Sequence, residues 1–385
     1  MKYYYTLHTK KKVTLKDYIV GGGEGEVYSI EQNSKIIAKI YHKKDATSQR
    51  KQKLQVLLQK QISFHEAQER KIALPLDILV DAYGNFVGYI MPKVHGYPFR
   101  LALFSKTRIE RYFPSLQRTN LAELAYWFIK QVHFLHKHNI LIGDINPLNL
   151  LLDKQDPTRC WLIDTDSFQV DMMPCPVGTD LFTPPHLQGK DFKTILRTKE
   201  DEYFSMSIMV FMILMLGKHP FAKVGGESPA YNIKHMDFPY PQYIGSLDDV
   251  PRGAWGFIWT NFNADLKNTF FECFKHGQCL DTQSWKKVLN KYQYVIRKGF
   301  FSNELFPKAH HAKEKTDVTC EMCGDRFVID KSWFENLKKQ NKLPRCALCQ
   351  QKIQIQILAR KQKKLKKSSR YQNNNSFSSL FHGII

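Results

Sequence analysis

The chain has 385 residues, of which 43% are hydrophobic and 13% aromatic. This composition excludes a disordered chain, and the length allows an enzyme-sized domain together with a small accessory module. The formal net charge is +21, and it is not evenly spread.

The positive charge is concentrated at the C-terminal end. From Lys308 to Ile385 there are 17 Lys and Arg against 6 Asp and Glu, a balance of +11 in the last fifth of the sequence. Such asymmetry suggests an anionic partner for this end, either a nucleic acid or a membrane surface. A solvated tail that keeps the protein soluble is an equally good interpretation.

The predicted elements change from strands to helices along the chain. The predicted strands are Val27–Ile30, Ile36–Tyr41, Ile78–Val80 and Phe86–Met91, and a stretch of helical spacing, Thr47–Gln61, interrupts them. The predicted helices after residue 116 are Leu121–His138, Asp201–Leu216, Ala264–Lys275 and Thr282–Tyr294. This order predicts an α+β fold with a β-rich lobe, a helical lobe and a cleft between them.

The sequence carries no pattern typical of export or of membrane insertion. The segment MKYYYTLHTKKK has no apolar core of signal-peptide length. The longest apolar run, Phe204 to Leu216, is too short to span a bilayer and predicts a buried core helix. We therefore expect a cytoplasmic protein that does not bind a membrane.

A glycine-rich turn is the first motif with chemical meaning. It comprises Gly21, Gly22, Gly23 and Gly25, directly before Val27. Glycines let backbone amides approach phosphate oxygens because no Cβ intervenes, although a glycine run alone is just as typical of a flexible hairpin. Lys39 follows in the next predicted strand, where it could pair with the same phosphates. Together the two features indicate a nucleotide site more strongly than either alone.

A second motif supplies oxygen ligands. Asp144 precedes Asn149 by five positions after a predicted helix, and Asp164 follows a short apolar run. Phosphoryl transfer needs a carboxylate to orient the attacking hydroxyl and oxygen ligands for the Mg²⁺ on the nucleotide. The order and spacing of the three residues match that need. The alternative is that Asp144 and Asp164 cap turns beside buried strands.

Residues 13–295 resemble the protein kinase superfamily. The resemblance depends on the order of AKIYHKK (38–44), VGYIMPKVHGYPF (87–99), IGDINPLNLLL (142–152), LIDTDSFQV (162–170), VGTDLFTPPHLQG (177–189) and LGKHPF (216–221). The chain looks closest to a bacterial branch of kinase-like proteins whose relatives often carry a DNA-binding helix-hairpin-helix module. The resemblance implies a two-lobed protein-kinase-like fold.

The same resemblance implies a role for each motif residue. Lys39 pairs the phosphates of ATP, Asp144 is the catalytic base, and Asn149 and Asp164 hold Mg²⁺. The residues implied in ATP binding are Gly21, Gly22, Gly23, Gly25, Val27, Lys39, Met91 and Val94, with Met91 as the gatekeeper before the hinge. Asp201 is implied as the anchor of the catalytic loop on a core helix.

Several positions depart from the kinase pattern. Gly143 stands where most kinases have an arginine that binds a phosphate on the activation loop, so regulation by that phosphate is not expected. Asn146 replaces a lysine that steadies the transferred phosphate, which predicts slower chemistry. Thr165 and Asp166 replace the usual Phe-Gly after the metal-binding aspartate.

Two charge pairs of the kinase fold are also incomplete. His186 and Cys279 stand at the two positions of a buried Glu–Arg pair, a double loss that leaves no unpaired charge. The predicted helix Thr47–Gln61 has no glutamate to pair with Lys39, since Glu66 and Glu69 lie beyond it. This gap keeps open an inactive, ATP-binding pseudokinase that acts as a sensor or scaffold.

A four-cysteine pattern near the C-terminal end predicts a zinc site. Its residues are Cys320, Cys323, Cys346 and Cys349. Two CxxC pairs supply four thiolates for a closed tetrahedral Zn²⁺ site, and the pattern resembles a small zinc ribbon. The alternative is a redox dithiol pair. Ordinary thiols are expected at Cys160, Cys175, Cys273 and Cys279, which lack paired ligand spacing.

The predicted organisation has five parts. They are an N-terminal extension (1–12), a kinase-like domain (13–295), a linker (296–317), a zinc-ribbon module (318–352) and a basic, then polar tail (353–385). The expected function is an ATP- and Mg²⁺-dependent protein kinase acting on Ser or Thr of a protein substrate. The zinc ribbon and the Lys-rich run 360–367 would then dock a partner protein or a nucleic acid.

Overall fold

The structure is a computed structural model that describes residues 2–60, 62–242, 246–308, 315–330, 334, 337–346, 349, 350 and 353. The chain divides into two compact units, residues 1–310 and 311–385. The Lys-rich run 360–367 and the polar tail lie outside the described residues.

The first unit begins with a closed antiparallel barrel in the strand order β1-β2-β3-β4-β6-β5. The strands are β1 (Tyr3–Thr6), β2 (Lys12–Gly21), β3 (Gly25–Ile30), β4 (Ile36–Tyr41), β5 (Asp77–Val80) and β6 (Phe86–Pro92). Strand β1 pairs with both β2 and β5. Residues 1–12, predicted as an extension, therefore contribute the strand that closes the barrel, as their run of three β-favouring tyrosines permits.

Alternate side chains of β4 point into the barrel and away from it. Ala38 belongs to the apolar cluster inside the barrel, with Val13, Leu15, Ile30 and Leu79. Tyr41 instead clusters with Leu54 of the following helix. Because successive side chains in a strand point to opposite faces, Lys39 lies on the same face as Tyr41, outside the barrel interior.

The helix predicted at Thr47–Gln61 is present as α1 (Ser48–Gln59), capped by the hydroxyl of Thr47. A second, short helix, α2 (Phe64–Glu69), follows it and carries Glu66 and Glu69. The two glutamates therefore lie outside the helix that packs on the barrel.

The remainder of the first unit is mainly helical. Its helices are α3 (Phe99–Ala102), α4 (Lys106–Tyr112), α5 (Arg118–Lys137), α6 (Lys199–Leu214), α7 (Pro229–Lys234), α8 (Trp255–Thr260), α9 (Ala264–His276) and α10 (Thr282–Arg297). Short strands lie between α2 and α6, namely β7 (Gly96–Pro98), β8 (Ile140–Leu141), β9 (Leu150–Asp153), β10 (Cys160–Leu162) and β11 (Gln169–Val170). They form two small sheets, in the orders β10-β9-β7 and β11-β8.

Helix α6 is the buried core helix predicted from the apolar run. Every residue from Phe204 to Leu214 is buried, and α5 and α10 contribute buried faces to the same apolar cluster. Among the described residues, no helix has both the length and the apolar character needed to cross a membrane.

The start of the predicted linker belongs to the first unit. The buried guanidinium of Arg118 donates to the carbonyl oxygens of Leu214 at 2.9 Å and Glu304 at 3.3 Å. Leu305 and Phe306 pack on the helical core. The chain therefore stays attached to this unit well beyond residue 296, where the linker was predicted to start.

Two cysteines expected to be ordinary thiols are joined. Cys273 in α9 and Cys279 form a disulfide, with Cα atoms 4.2 Å apart. Gly277 ends α9 in the left-handed conformation and turns the chain back towards the helix. The expectation of free thiols at these two positions was therefore wrong.

The second unit contains an antiparallel hairpin of β12 (Lys315–Thr319) and β13 (Arg326–Asp330). The turn between the two strands carries the first CxxC pair. The second pair follows Pro344.

Candidate active site

Lys39 lies at the centre of a buried charge cluster. Its Nζ donates to Oδ1 of Asp164 at 2.7 Å and to both carboxylate oxygens of Asp166 at 3.0 Å. The two aspartates follow β10, more than 120 residues further along the chain. Burial alone would lower the pKa of Lys39, but the two carboxylates outweigh it and raise that pKa above its ordinary value.

Asp166 is held from three sides. The hydroxyl of Tyr89 on β6 donates to its Oδ1 at 2.7 Å, and the hydroxyl of Tyr41 on β4 donates to its Oδ2 at 2.5 Å. Only 2% of its side chain is exposed. Burial would raise the pKa of Asp166, but Lys39 and the two tyrosine hydroxyls lower it to about 2. Asp166 is therefore a buried anion with both oxygens hydrogen-bonded.

Helix α1 presents basic residues to this cluster. The guanidinium of Arg50 binds both carboxylate oxygens of Glu24, in the glycine-rich turn, and its Nη1 lies 3.9 Å from Asp166. The ammonium of Lys53 donates to the carbonyl oxygens of Ser167 and Pro174, each at 2.8 Å. Burial lowers the pKa of Lys53 to about 8. The helix thus contacts both the glycine-rich turn and the segment after β10.

The two carboxylate oxygens of Asp144 differ in their hydrogen bonding. Its Oδ2 accepts from the amide of Asn146 at 2.8 Å. Its Oδ1 is buried and has no hydrogen-bond partner among the described residues. Burial raises the pKa of Asp144, and the hydrogen bond from Asn146 and the charge of Arg197 offset only part of that rise. A buried carboxylate oxygen without a partner is costly unless it serves a ligand or a reaction.

Asn149 contacts Asp144, and its backbone leads to the segment that carries Asp164. The amide nitrogen of Asn149 donates to the carbonyl of Asp144 at 3.0 Å, so its Oδ1 is the atom left for a ligand. The backbone N–H of Ile163 donates to the carbonyl of Asn149 at 3.0 Å, which links the loop to the segment that carries Asp164. Asp164 is left-handed, at φ 58°, and its side chain is 42% exposed. Desolvation and the charge of Asp166 raise its pKa.

Gly143 fits a space in which a side chain would overlap. Its φ is +73°, and a Cβ built there would lie 2.4 Å from the Cβ of Cys175. The nearby guanidinium of Arg197 donates to the carbonyls of Cys175 at 2.9 Å and Val177 at 2.8 Å. An arginine at position 143 would overlap Cys175. The guanidinium of Arg197 instead binds the segment from Cys175 to Val177 through its carbonyl oxygens.

The residue that anchors the loop before Asp144 to helix α6 is Glu202, whereas the resemblance implied Asp201. Glu202 accepts from the backbone N–H of Gly143 at 2.7 Å and from Nε2 of His136 at 2.9 Å. Asp201 faces elsewhere, because it caps α6 through Thr198 at 2.7 Å and pairs with His186 at 2.6 Å. In the kinase pattern a glutamate at position 186 pairs with an arginine. Here His186 pairs with the carboxylate of Asp201 instead.

The residues predicted to bind ATP lie around Lys39 on the barrel. Val27 is opposite Lys39 in the β3–β4 ladder, Met91 is opposite Ile37 in the β4–β6 ladder, and Val94 follows β6. In the turn, Gly21 ends β2 and Gly25 starts β3, packed so closely on β4 that a Cβ would lie 2.4 Å from the carbonyl oxygen of Ile40. Gly22 and Gly23 are exposed and have open space around them.

The arrangement fits a nucleotide with its metal. Open space surrounds Gly22 and Gly23 in the turn that precedes β3, and Oδ1 of Asp144 is a buried acceptor without a partner among the described residues. Asn149 and Asp164 offer hard oxygen ligands of the type that Mg²⁺ prefers.

The second unit holds the four-cysteine cluster as the sequence predicts. The sulfurs of Cys320, Cys323, Cys346 and Cys349 all lie within 4.8 Å of one another. The backbone N–H of Cys346 donates to the sulfur of Cys320 at 3.3 Å, the type of contact that orients a thiolate ligand. Four thiolates at this spacing suit Zn²⁺.

Comparisons with known proteins support the kinase resemblance, although no family model matches the chain. The chain is 28% identical over 256 residues to "Protein kinase YegI" of Escherichia coli (strain K12), which covers 64% of this chain and 38% of that protein. It is 28% identical over 322 residues to the "cAMP-dependent protein kinase catalytic subunit" of Arthrobotrys oligospora, covering 78% of this chain and 57% of that protein.

A solved structure supports the fold. The structure "ROP18 kinase domain in complex with AMP-PNP and sucrose" matches with a TM-score of 0.51 and 15% identity, covering 77% of this chain and 85% of that one. The chain is thus a kinase-like protein with a mixed helix-and-strand kinase fold, and it spans less than two fifths of the length of YegI. The helix-hairpin-helix type stays a prediction.

Sequence reasoning missed Asp166 and Glu202. The signal for Asp166 was present, since an acidic residue stands two positions after Asp164 where kinases usually have glycine. Glu202 is adjacent to the residue that was chosen, and nothing in the sequence distinguishes the two.

Proposed function

We propose that the chain transfers the γ-phosphoryl group of ATP, with Mg²⁺, to a serine or threonine hydroxyl of a protein. The observation that carries this proposal is the buried Oδ1 of Asp144, which has no partner among the described residues, on a loop whose Asn149 is hydrogen-bonded through its carbonyl to Ile163, the residue before Asp164. The curated kinases to which the chain is similar support the same class of reaction.

The residues divide the work as follows. Lys39 binds phosphate oxygens, and Asn149 and Asp164 would hold a Mg²⁺ ion, which would supply positive charge to the transferred group. Oδ1 of Asp144 accepts a hydrogen bond from the attacking hydroxyl and takes its proton as the phosphoryl group is transferred. The hydrogen bond from Asn146 to Oδ2 fixes the carboxylate plane for that task.

The raised pKa of Asp144 suits a proton acceptor. A carboxylate with a higher proton affinity takes the proton of a hydroxyl more readily, provided that it is ionised at the working pH. The rival sensor function was suggested by the missing glutamate partner of Lys39. That suggestion weakens because Asp166 supplies a buried carboxylate to Lys39.

The test is incubation of the full chain with labelled ATP, Mg²⁺ and a general protein substrate. Native protein should label itself or the substrate on serine or threonine, and Asp144→Asn should reduce the rate by at least about 100-fold. The control is Asp156→Asn, a half-exposed aspartate in the turn between β9 and β10 that binds Thr158. Equal labelling by native protein and Asp144→Asn would end the kinase proposal, and nucleotide binding without transfer would favour the sensor.

For the second unit we propose one structural Zn²⁺ bound by the four cysteines, with a docking role for a partner. Residues 308–385 are strongly basic, and a nucleic acid is the anionic partner that this charge would favour. The affinity for a nucleic acid should then fall steeply with added salt. A gel-shift titration of the full chain with duplex and single-stranded DNA and RNA tests this, and no shift at micromolar protein would favour a protein partner.

A further inference from the structure

We propose that Asp166 is the residue that positions Lys39 for the nucleotide, in the place that a carboxylate of helix α1 would otherwise fill. The inference rests on the proposed function only for the phosphoryl-transfer step. The contact between the two side chains, and its effect on nucleotide binding, stand apart from transfer.

The contacts of Asp166 occupy both of its carboxylate oxygens. Each of its oxygens accepts from Lys39 at 3.0 Å and from one tyrosine hydroxyl, Tyr89 on Oδ1 and Tyr41 on Oδ2. The side chain is 2% exposed, whereas that of Asp164 is 42% exposed. Of the two aspartates, Asp164 can turn towards a metal and Asp166 stays on the lysine.

Helix α1 offers no competing carboxylate. Its sequence, SQRKQKLQVLLQ, has no acidic residue, and Arg50 brings a positive charge to 3.9 Å from Asp166. Glu66 lies in the separate helix α2, where its side chain is within 4.0 Å of Arg70. A glutamate on α1 would be a second anion beside Asp166, whereas an arginine there is attracted by it.

Because Asp166 and not a residue of α1 supplies the carboxylate, a movement of α1 would affect the contacts of Lys39 less directly. The Lys39–Asp166 pair is built from β4 and the segment after β10, and neither of its two charged groups belongs to α1. Helix α1 reaches the pair only through its surroundings, with Arg50 at 3.9 Å from Asp166 and bound to Glu24, and with Lys53 bound to two backbone carbonyls. Displacement of α1 would therefore remove the Arg50–Glu24 contact to the glycine-rich turn, while both partners of the Lys39–Asp166 pair are supplied by other elements.

The decisive variant is Asp166→Asn, compared with Glu66→Gln and Asp171→Asn as matched controls. Asp171 lies on the same segment, with its side chain half exposed and bound to Lys60. Mg–ATP affinity and the transfer rate are measured for each full-length protein. Asp166→Asn should weaken affinity about tenfold and slow transfer about 100-fold, because a misplaced lysine no longer aligns the phosphates. Both controls should stay within about twofold of native.

A split between the two kinetic constants separates positioning from general damage. Asp166→Asn weakens the contacts of Lys39 to both carboxylate oxygens at 3.0 Å, while the contact to Asp164 at 2.7 Å remains. The variant should therefore lower kcat for transfer more than it raises the KM for Mg–ATP. A purely structural loss would lower the amount of active protein and leave KM at its native value.

A milder variant covers the case in which Asp166→Asn does not fold. Tyr41→Phe/Tyr89→Phe keeps the carboxylate and removes two of its hydrogen bonds, and it should slow transfer about tenfold. Native affinity and rate in the variant that folds, or an equal loss in Glu66→Gln, would overturn the proposal. If native protein binds Mg–ATP but transfers no phosphate, the kinase function fails while the affinity results still decide the role of Asp166.

Discussion

The backbone N–H of Gly143 donates to the carboxylate of Glu202 at 2.7 Å, which joins the start of the loop that carries Asp144 to the buried helix α6. The other carboxylate oxygen of Glu202 contacts His136 at the end of α5. One buried side chain therefore fixes the loop to two core helices. The contact restrains the loop at Gly143, where a glycine by itself would add backbone freedom.

The first prediction is that Glu202 and the adjacent Asp201 differ in effect. Glu202→Gln should lower the unfolding free energy by about 2 kcal/mol and slow transfer at least tenfold, because it weakens charged hydrogen bonds to the loop. Asp201→Asn weakens the capping contacts of α6 and should cost about 1 kcal/mol with little change in rate. Urea unfolding and labelled-ATP assays measure both, and an equal rate loss in the two variants would contradict the assignment.

The second prediction concerns the space around Gly143. Gly143→Ala and Gly189→Ala both place alanine in the left-handed region, at φ +73° and +76°, which costs about 1–2 kcal/mol in each. Only the first adds an overlap with Cys175, since nothing lies within 4 Å at Gly189. Gly143→Ala should therefore be less stable than Gly189→Ala by at least about 1 kcal/mol. Equal unfolding midpoints would show that the loop relaxes freely.

The third prediction is a pH-dependent stability from Lys53. Its folded pKa of about 8 lies below the unfolded value of 10.5, so the folded state releases a proton first. The contribution of Lys53 to stability is least favourable below pH 8, and it improves as the pH rises from 8 to 10.5. Relative to Lys53→Met, native protein should gain roughly 1–3 kcal/mol across that window.

Urea unfolding at several pH values checks this, with Lys51→Met of the same helix as the control. A difference between native protein and Lys53→Met that stays constant from about pH 8 to about pH 10.5 would mean that Lys53 is as hydrated in the folded state as in the unfolded one.

The fourth prediction concerns the pH at which the transfer rate falls on the acid side, called the acid limb below. Transfer needs ionised Asp144, whose pKa is raised by burial, so the rate should start to fall at a higher pH than an ordinary aspartate would give. Asn146→Ala removes a hydrogen bond that lowers this pKa and should move the limb higher still. The transfer rate is measured against pH in both proteins. An acid limb at the same pH in native protein and Asn146→Ala would argue that Asp144 is not the group that titrates.

The fifth prediction is that zinc binding depends on the second unit alone. Elemental analysis should find one zinc per chain, and Cys323→Ser should lose it and expose the remaining cysteines to thiol reagents. Cys160→Ser changes a buried cysteine of the first unit and should keep the zinc. Mg–ATP affinity should be unchanged in Cys323→Ser, and a metal-free native protein with four protected cysteines would contradict the zinc assignment.

Local sequence was sufficient for much of the fold. The strand β4 and the helix α1 were predicted within one or two residues, because alternation and helical spacing are properties of a few adjacent residues. The four-cysteine cluster was also predictable, since each CxxC pair is a local unit that needs only a partner pair. The roles of Asp144 and Asn149 remain predictions based on their spacing within one loop.

What the sequence could not decide was which side chains meet across long stretches of chain. Asp201 and Glu202 are adjacent, but successive residues of a helix point about 100° apart, and only the packing of α6 shows which one faces the loop. The partner of Lys39 was sought on α1, yet the carboxylate comes from Asp166, 127 residues away. Its identity depends on the tyrosines of β4 and β6 that close around it, and such a buried site exists only once the barrel and the segment after β10 have packed together.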